Sequence, residues 1–179
     1  MDEIPESLKM FLLNPKFTFV GIEVDEDILK LKNEYGYSGG GKDHVAGKGL
    51  KDLATEVVGL YMKKPKHVCM SNWEARVLNE NQVEYACIDA YASYKIDHVN
   101  YDGKTIETTV TNKAAITDEW MDELLTLHAD HPTVVVGLDV EWRPHLIRSM
   151  SNKSATLQLC IDTKCLILQL FYMDEIPES

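Results

Sequence analysis

Val134-Val-Val-Gly-Leu-Asp-Val-Glu-Trp142 sets an uninterrupted apolar run against two acids, Asp139 and Glu141, at its far end. Such a run reads as a strand buried on both faces. Residues i and i+2 of a strand point to the same side, so the two carboxylates form one concentrated negative site at the strand terminus. Two unit charges ~4 Å apart at an effective dielectric of ~20 repel by roughly 4 kcal/mol. A divalent cation relieves that repulsion, and carboxylate oxygens suit magnesium or manganese. For the pair alone, the competing reading is two solvated charges opening a loop.

The 179 residues, 45% of them hydrophobic, are enough for a core of their own, and a single domain over 1–179 is expected. No stretch is long and apolar enough to span a bilayer, and Met1-Asp-Glu-Ile-Pro-Glu lacks the basic and apolar regions of a secretion signal. Cys69, Cys87, Cys160 and Cys165 show no paired metal spacing. Reduced, mostly buried thiols in an intracellular protein, nuclear or cytoplasmic, are the expectation. A net charge of −11 argues against a protein that coats nucleic acid non-specifically, but not against an enzyme that grips a strand end. The basic residues cluster. Lys63, Lys64, Lys66 and His67 form one group, and Arg143, His145, Arg148 and Lys153 form another directly after the acidic strand. Either group reads as a solvated surface; the second is the better candidate for phosphate contacts.

Met1-Asp-Glu-Ile-Pro-Glu-Ser7 recurs letter for letter as Met173-Asp-Glu-Ile-Pro-Glu-Ser179. With no further copy, the repeat does not indicate a solenoid. Circular permutation is the simplest account, with ancestral termini joined near residues 96–99 and a new break in a surface connection. Two copies cannot fill one place, so the second is expected to pack elsewhere or to swap into a neighbouring copy of the chain.

Read from about Val99, the chain organises as a strand (105–110), a helix capped by Thr117, and three apolar strands (133–141, 155–161, 165–170). Asp162-Thr163-Lys164 is a short turn that makes the last two antiparallel. Re-entering at the N-terminus, a helix (8–13), a strand (17–22), a helix (27–35), a Gly-rich loop (36–49) and a helix (50–60) follow. A final helix over 80–96 carries a capping box, Asn79 with Gln82 three residues on. The expected fold class is α/β, a mixed five-stranded sheet flanked by helices.

The remaining acids are weak signals singly. Tyr85 and Asp89 are i, i+4 neighbours on one helical face, which an ordinary amphipathic helix would also give. Glu23-Val-Asp-Glu-Asp27 reads as an acidic helix start favoured by the macrodipole. Together with Asp139 and Glu141, however, they can supply four carboxylates to one cleft. That number can hold two cations ~3.5–4 Å apart, clamping the attacking and leaving oxygens of a phosphodiester.

In this combination the sequence resembles the 3′–5′ exonucleases of the DEDD type with a tyrosine in the third motif. It is most similar to plant proteins related to the Werner-syndrome exonuclease domain and, more distantly, to ribonuclease D. The resemblance rests on Val-Gly-Leu-Asp139-Val-Glu141-Trp-Arg-Pro, Ala155-Thr-Leu-Gln-Leu-Cys160 and Phe19-Val-Gly-Ile-Glu-Val-Asp-Glu-Asp27-Ile-Leu-Lys-Leu31. Ser71-Asn-Trp-Glu and Gln82-Val-Glu-Tyr85-Ala-Cys-Ile-Asp89-Ala-Tyr complete it. Two departures stand out: the D-x-E segment comes last instead of first, and the 36–49 stretch is short. Gly47-Lys48 lacks the spacing and the following Ser or Thr of a phosphate loop.

The resemblance implies a ribonuclease-H-like fold of the DnaQ-like exonuclease kind, in circularly permuted order. It implies Asp139, Glu141, Asp27, Tyr85 and Asp89 as catalytic residues, with the four acids holding two Mg2+ or Mn2+ ions and Tyr85 orienting the attacking water. Asp27 is preferred to Asp25 because Asp27-x-x-x-Leu31 keeps the family spacing. Trp142, Arg143 and Arg148 are candidate substrate contacts. The partner is nucleic acid, DNA or RNA, with a free 3′ end, and no membrane. The competing expectation is a non-catalytic nucleic-acid-binding or scaffold protein with the same fold.

Overall fold

Along the strand Val134–Glu141 every second side chain turns the same way. Val134, Val136, Leu138 and Val140 enter one apolar cluster, while Val135 packs against another on the opposite side of the sheet. A computed structural model describes residues 4–36, 41–43, 51–52, 54, 61–97, 105–145 and 152–173. In chain order these residues form α1 (Glu6–Leu13), β1 (Phe17–Gly21), α2 (Val24–Tyr35), β2 (Gly41–Asp43) and the short α3 (Lys66–Cys69). Then come α4 (Glu80–Asp97), β3 (Glu107–Thr111), α5 (Ala114–Leu127), β4 (Val134–Glu141), β5 (Thr156–Ile161) and β6 (Lys164–Leu168). A 3-10 turn, Leu170–Tyr172, closes the described chain.

The strands make one mixed sheet in the order β2-β1-β4-β5-β6-β3. β5 is antiparallel to both its neighbours, and the other pairings are parallel. All five expected strands are present. The sixth, β2, extends the sheet from within the stretch read as a Gly-rich loop. Its pairing with β1, Phe19 opposite Gly41, rests on the backbone ladder, and glycine gives no strand signal in sequence. The β5–β6 hairpin has the expected tight turn, with Ile161 opposite Lys164 and Asp162 at φ 52°, the positive value that two-residue hairpin loops require.

One face of the sheet is covered by α1, α2 and α5. Phe17 and Phe19 of β1 meet Leu8 and Phe11 of α1, Ile28 and Leu31 of α2, and Trp120, Met121 and Leu124 of α5. The other face carries α4, whose Ala86, Ala90, Tyr91 and Tyr94 lie against Cys160, Cys165 and Ile167. All four cysteines are free, and Cys87, Cys160 and Cys165 are buried, as expected. No described helix is long and apolar enough to cross a membrane.

Three helix starts differ from expectation, α1 beginning at Glu6 in place of Leu8. α5 begins at Ala114, a turn before Thr117, because the two alanines are strong helix formers. Thr117 is buried and bonds its hydroxyl back to the Lys113 carbonyl at 3.1 Å, so it is not a cap. α2 begins at Val24 and places Asp25, Glu26 and Asp27 in its first turn. α3 was not anticipated, a single turn of helix giving too short a pattern to read. Of the helix expected over 50–60, only residues 51, 52 and 54 are described, and these are helical. Gly47 and Lys48 fall outside the described residues.

The first heptad copy contributes to the fold: Ile4 is buried, Pro5 precedes α1, and Ser7 hydrogen-bonds Asp118 of α5. Of the second copy only Met173 is described, partly buried against the same apolar cluster. The expected swap therefore lies outside the described residues.

The α4–β4 contact positions everything that follows. A Cβ at Gly137 would come 2.0 Å from the Ala90 carbonyl oxygen and 2.8 Å from the Tyr94 amide nitrogen, so only glycine lets helix and strand touch backbone to backbone. Gly137→Ala must push α4 off the sheet, and overpacking of this kind costs about 1–3 kcal/mol. A lowered urea midpoint with an unchanged slope is the expected result; an unchanged midpoint would show that the contact bears no load.

Candidate active site

Asp139 and Glu141 follow Gly137 on the same side of β4, and therefore lie on the face that α4 covers. Asp89 immediately precedes the Ala90–Tyr94 contact and Tyr85 lies one turn before Asp89, which brings both over the strand end. The start of α4 is fixed by the anticipated capping box. The Asn79 amide donates to Gln82 Oε1 and the Gln82 amide to Asn79 Oδ1, each at 3.0 Å. Gln82 then ties the helix to the preceding loop, donating to Ser71 Oγ at 3.0 Å and to the Asn72 carbonyl at 3.1 Å. In that loop Trp73 is buried, donates its indole N–H to the Cys69 carbonyl, and sets its ring 5.8 Å from that of Tyr85. The rotamer of Tyr85 is thus held by a packed neighbour.

Carboxylate oxygens of Asp89, Asp139 and Glu141 lie within 4.8 Å of one another. They open into a cavity of about 320 Å³ that is also lined by Asp27, Tyr85, Lys64 and Trp142. Asp27 reaches it from the first turn of α2 and is itself buried. It lines the cavity without joining the three-carboxylate cluster. Glu23 takes a left-handed conformation, φ 59°, at the turn between β1 and α2 that brings Asp27 inward.

The acids oppose one another in this space. Burial, then the charge of Asp89, pushes the Asp139 carboxyl up to about 7. Burial, then Asp139 and Asp89, pushes Glu141 up to about 10. Asp89 is raised by burial although Lys64 pulls it down. Burial and then the Asp89 and Glu141 charges hold Tyr85 well above the usual phenol range, so its hydroxyl keeps its proton. Asp139 Oδ2 is buried and has no hydrogen-bond partner among the described residues. An orphaned carboxylate oxygen costs about 1–3 kcal/mol or more. Hard oxygen donors, mutual repulsion and an unmatched lone pair together fit a divalent cation.

The other anticipated residues fall around this centre. Trp142 lies at the cavity wall, partly buried against the apolar cluster, with the Lys30 ammonium 5.0 Å from its ring centroid. Arg143 is half exposed, 3.7 Å from Glu74, and lines a separate cavity of about 560 Å³ with Ser71, Asn72 and His145. Arg148 lies outside the described residues. Lys64, read only as part of a surface group, instead reaches into the acidic cavity and pairs with Asp89 at 2.7 Å. No spacing rule marks it; the one available signal is Pro65, which forces Lys64 into extended backbone and sends Lys63 and Lys64 to opposite sides.

The raised carboxyls fix a sign for stability. Asp139 and Glu141 hold protons in the folded chain above the pH at which the unfolded chain, with ordinary values of 3.8 and 4.5, has lost them. In chelator, the melting temperature is expected to fall as pH rises from about 5 to 8. Asp139→Asn is expected to flatten that slope and to melt higher than the parent at the alkaline end. A parent whose melting temperature rises over the same interval would contradict this.

Comparison with known proteins adds the family. The family described as 3′–5′ exonuclease matches residues 1–99, which contain Asp27, Tyr85 and Asp89. A curated "3′-5′ exonuclease" from Arabidopsis thaliana is 32% identical over 108 residues, covering 52% of this chain and 36% of the relative. "Exonuclease 3′-5′ domain-containing protein 2" from Drosophila melanogaster is 30% identical over 105 residues, covering 54% of this chain and 18% of the relative. The matches thus span about a third or less of either relative's length. No solved structure matches the chain significantly. With more than half of its length matched, the chain belongs to the 3′–5′ exonuclease family.

Proposed function

We propose that the protein is a divalent-cation-dependent 3′–5′ exonuclease that removes nucleotides one at a time from a free 3′ end. The observation that carries this reading is the meeting of Asp89, Asp139 and Glu141 under a protonated Tyr85, with an oxygen of Asp139 left unpartnered. Asp139, Glu141, Asp89 and Asp27 would hold the cations, two Mg2+ or Mn2+ ions. Bound there, such ions supply Lewis acidity and neutralise the charge that develops on the reacting phosphate.

The chain's own groups do the rest. The carboxylates would hold, at the end of β4, the positive charge that lets an anionic phosphodiester approach. Tyr85, kept as a phenol, donates its hydrogen bond to the attacking water and holds it in line. Water adds to phosphorus, the 3′ oxygen of the preceding nucleotide leaves with a proton, and a nucleoside 5′-monophosphate is released. Arg143 and Trp142 would contact the strand beyond the scissile bond. Arg143 is the weaker assignment, since Glu74 already partners it.

We assign the centre to the DEDD class with tyrosine, because Tyr85 and Asp89 are one helical turn apart on α4 and both face the D-x-E strand. We assign the fold as ribonuclease-H-like in permuted order. In support, the antiparallel β4-β5-β6 unit follows the α/β segment in the chain and yet adjoins it in the sheet. The family match also ends at residue 99, where the ancestral termini are placed.

The test is digestion of 5′-labelled DNA and RNA oligomers, with 3′ ends free or blocked, in Mg2+ or Mn2+. A ladder from free ends alone is expected, erased by chelator and by Asp139→Ala. Tyr85→Phe is expected to lose roughly 10–100-fold in kcat with little change in KM. Intact free 3′ ends in both metals, with binding retained, would assign the protein to non-catalytic nucleic-acid binding or scaffolding.

A further inference from the structure

Lys63 and Lys64 are adjacent, yet they serve different cavities. Lys63 lines one of about 390 Å³ with Tyr61, Pro65 and Val68, whereas Lys64 enters the acidic cavity, and Tyr85 forms the wall between the two. Pro65 fixes this divergence, because a residue before proline is held extended. The Lys64 ammonium lies 2.7 Å from Asp89 Oδ2, with Lys64 28% and Asp89 5% exposed. It also stands 5.5 Å from the Tyr85 ring centroid and feels the charges of Asp139 and Glu141.

Among the described residues one ammonium therefore serves three clustered carboxylates, and Asp89 alone is paired directly. A hard cation would approach a carboxylate oxygen to about 2.0–2.1 Å if it is magnesium. A cation held by the cluster would stand within a few ångströms of the Lys64 ammonium, where like charges repel strongly. Lys64 and a cation therefore compete for Asp89.

We propose that Lys64 is the resident counter-ion of the acidic cluster, holding Asp89 until a divalent cation takes its place and frees the ammonium. This rests on the reading of the cluster as a cation site. It makes cation loading a substitution of one charge for another. It also means that loading leaves a free ammonium at the wall of a cavity that would receive an anionic strand. Lys63 has no such role.

The experiment titrates Mn2+ against the melting temperature of the parent, Lys64→Met, Lys63→Met and Asp139→Ala. Removing the competitor is expected to lower the Mn2+ midpoint by at least about fivefold in Lys64→Met, the low end of coupling between linked sites. Lys63→Met is expected to match the parent. A parent that responds to Mn2+ while Lys64→Met shows an equal or higher midpoint overturns the proposal. If Asp139→Ala responds as the parent does, or the parent does not respond at all, the cation-site reading itself fails, and the proposal with it.

A second measurement needs no variant and decides the matter if Lys64→Met does not fold. Acetylation of the parent by acetic anhydride, read peptide by peptide by mass spectrometry, is expected to speed up at Lys64 on Mn2+ addition and to stay constant at Lys63. Equal labelling of Lys64 with and without Mn2+ would overturn the proposal.

Discussion

The backbone contact between α4 and β4 at Gly137 governs the arrangement of the site. With no side chain between them, the Ala90 carbonyl and the Tyr94 amide come directly onto the strand. The next two residues on that side of the strand are acids, and the preceding turns of the helix carry Asp89 and Tyr85. Closeness that would ordinarily serve packing here forces charges together. The fold tolerates this because the apolar clusters on both faces clamp the same strand.

The resulting centre is electrostatically unfavourable when empty of cations, and the chain limits the penalty in three ways. Lys64 pairs with Asp89, itself buried. Asp139 and Glu141 take up protons more readily than free carboxyls do. Tyr85 stays neutral, so it adds no charge of its own. Strain kept at a functional centre and offset elsewhere is a common trade between stability and activity.

Much of this arrangement was legible in the residues, and unevenly so. The apolar run before Asp139 identified the central strand because burial on both faces leaves no polar alternation to confuse the reading. The capping box at Asn79 and Gln82 and the turn at Asp162 were legible because both are local chemistry. β2 was not, since a three-residue edge strand in a glycine segment depends on its neighbour for every cue. The Thr117 reading failed because a threonine hydroxyl satisfies a carbonyl one turn back as readily as it caps an amide. Among the candidate site residues, Asp139 and Glu141 were legible from strand periodicity and Tyr85 and Asp89 from helical spacing, whereas Asp27 was chosen over Asp25 by the family spacing alone. Lys64 was not legible, because its placement is set by a proline and by a charge 25 positions further along the chain.

Gln82 joins two tasks that are usually separate. Its backbone and side-chain oxygen close the first turn of α4, and its side-chain amide grips Ser71 and Asn72. That loop also borders the neighbouring groove beside Arg143. On the proposed reading, a rearrangement of that groove wall on engaging a polymer would be transmitted to the helix that carries Tyr85 and Asp89. Occupancy beyond the terminal nucleotide and alignment of the reacting groups would then be mechanically linked through one glutamine.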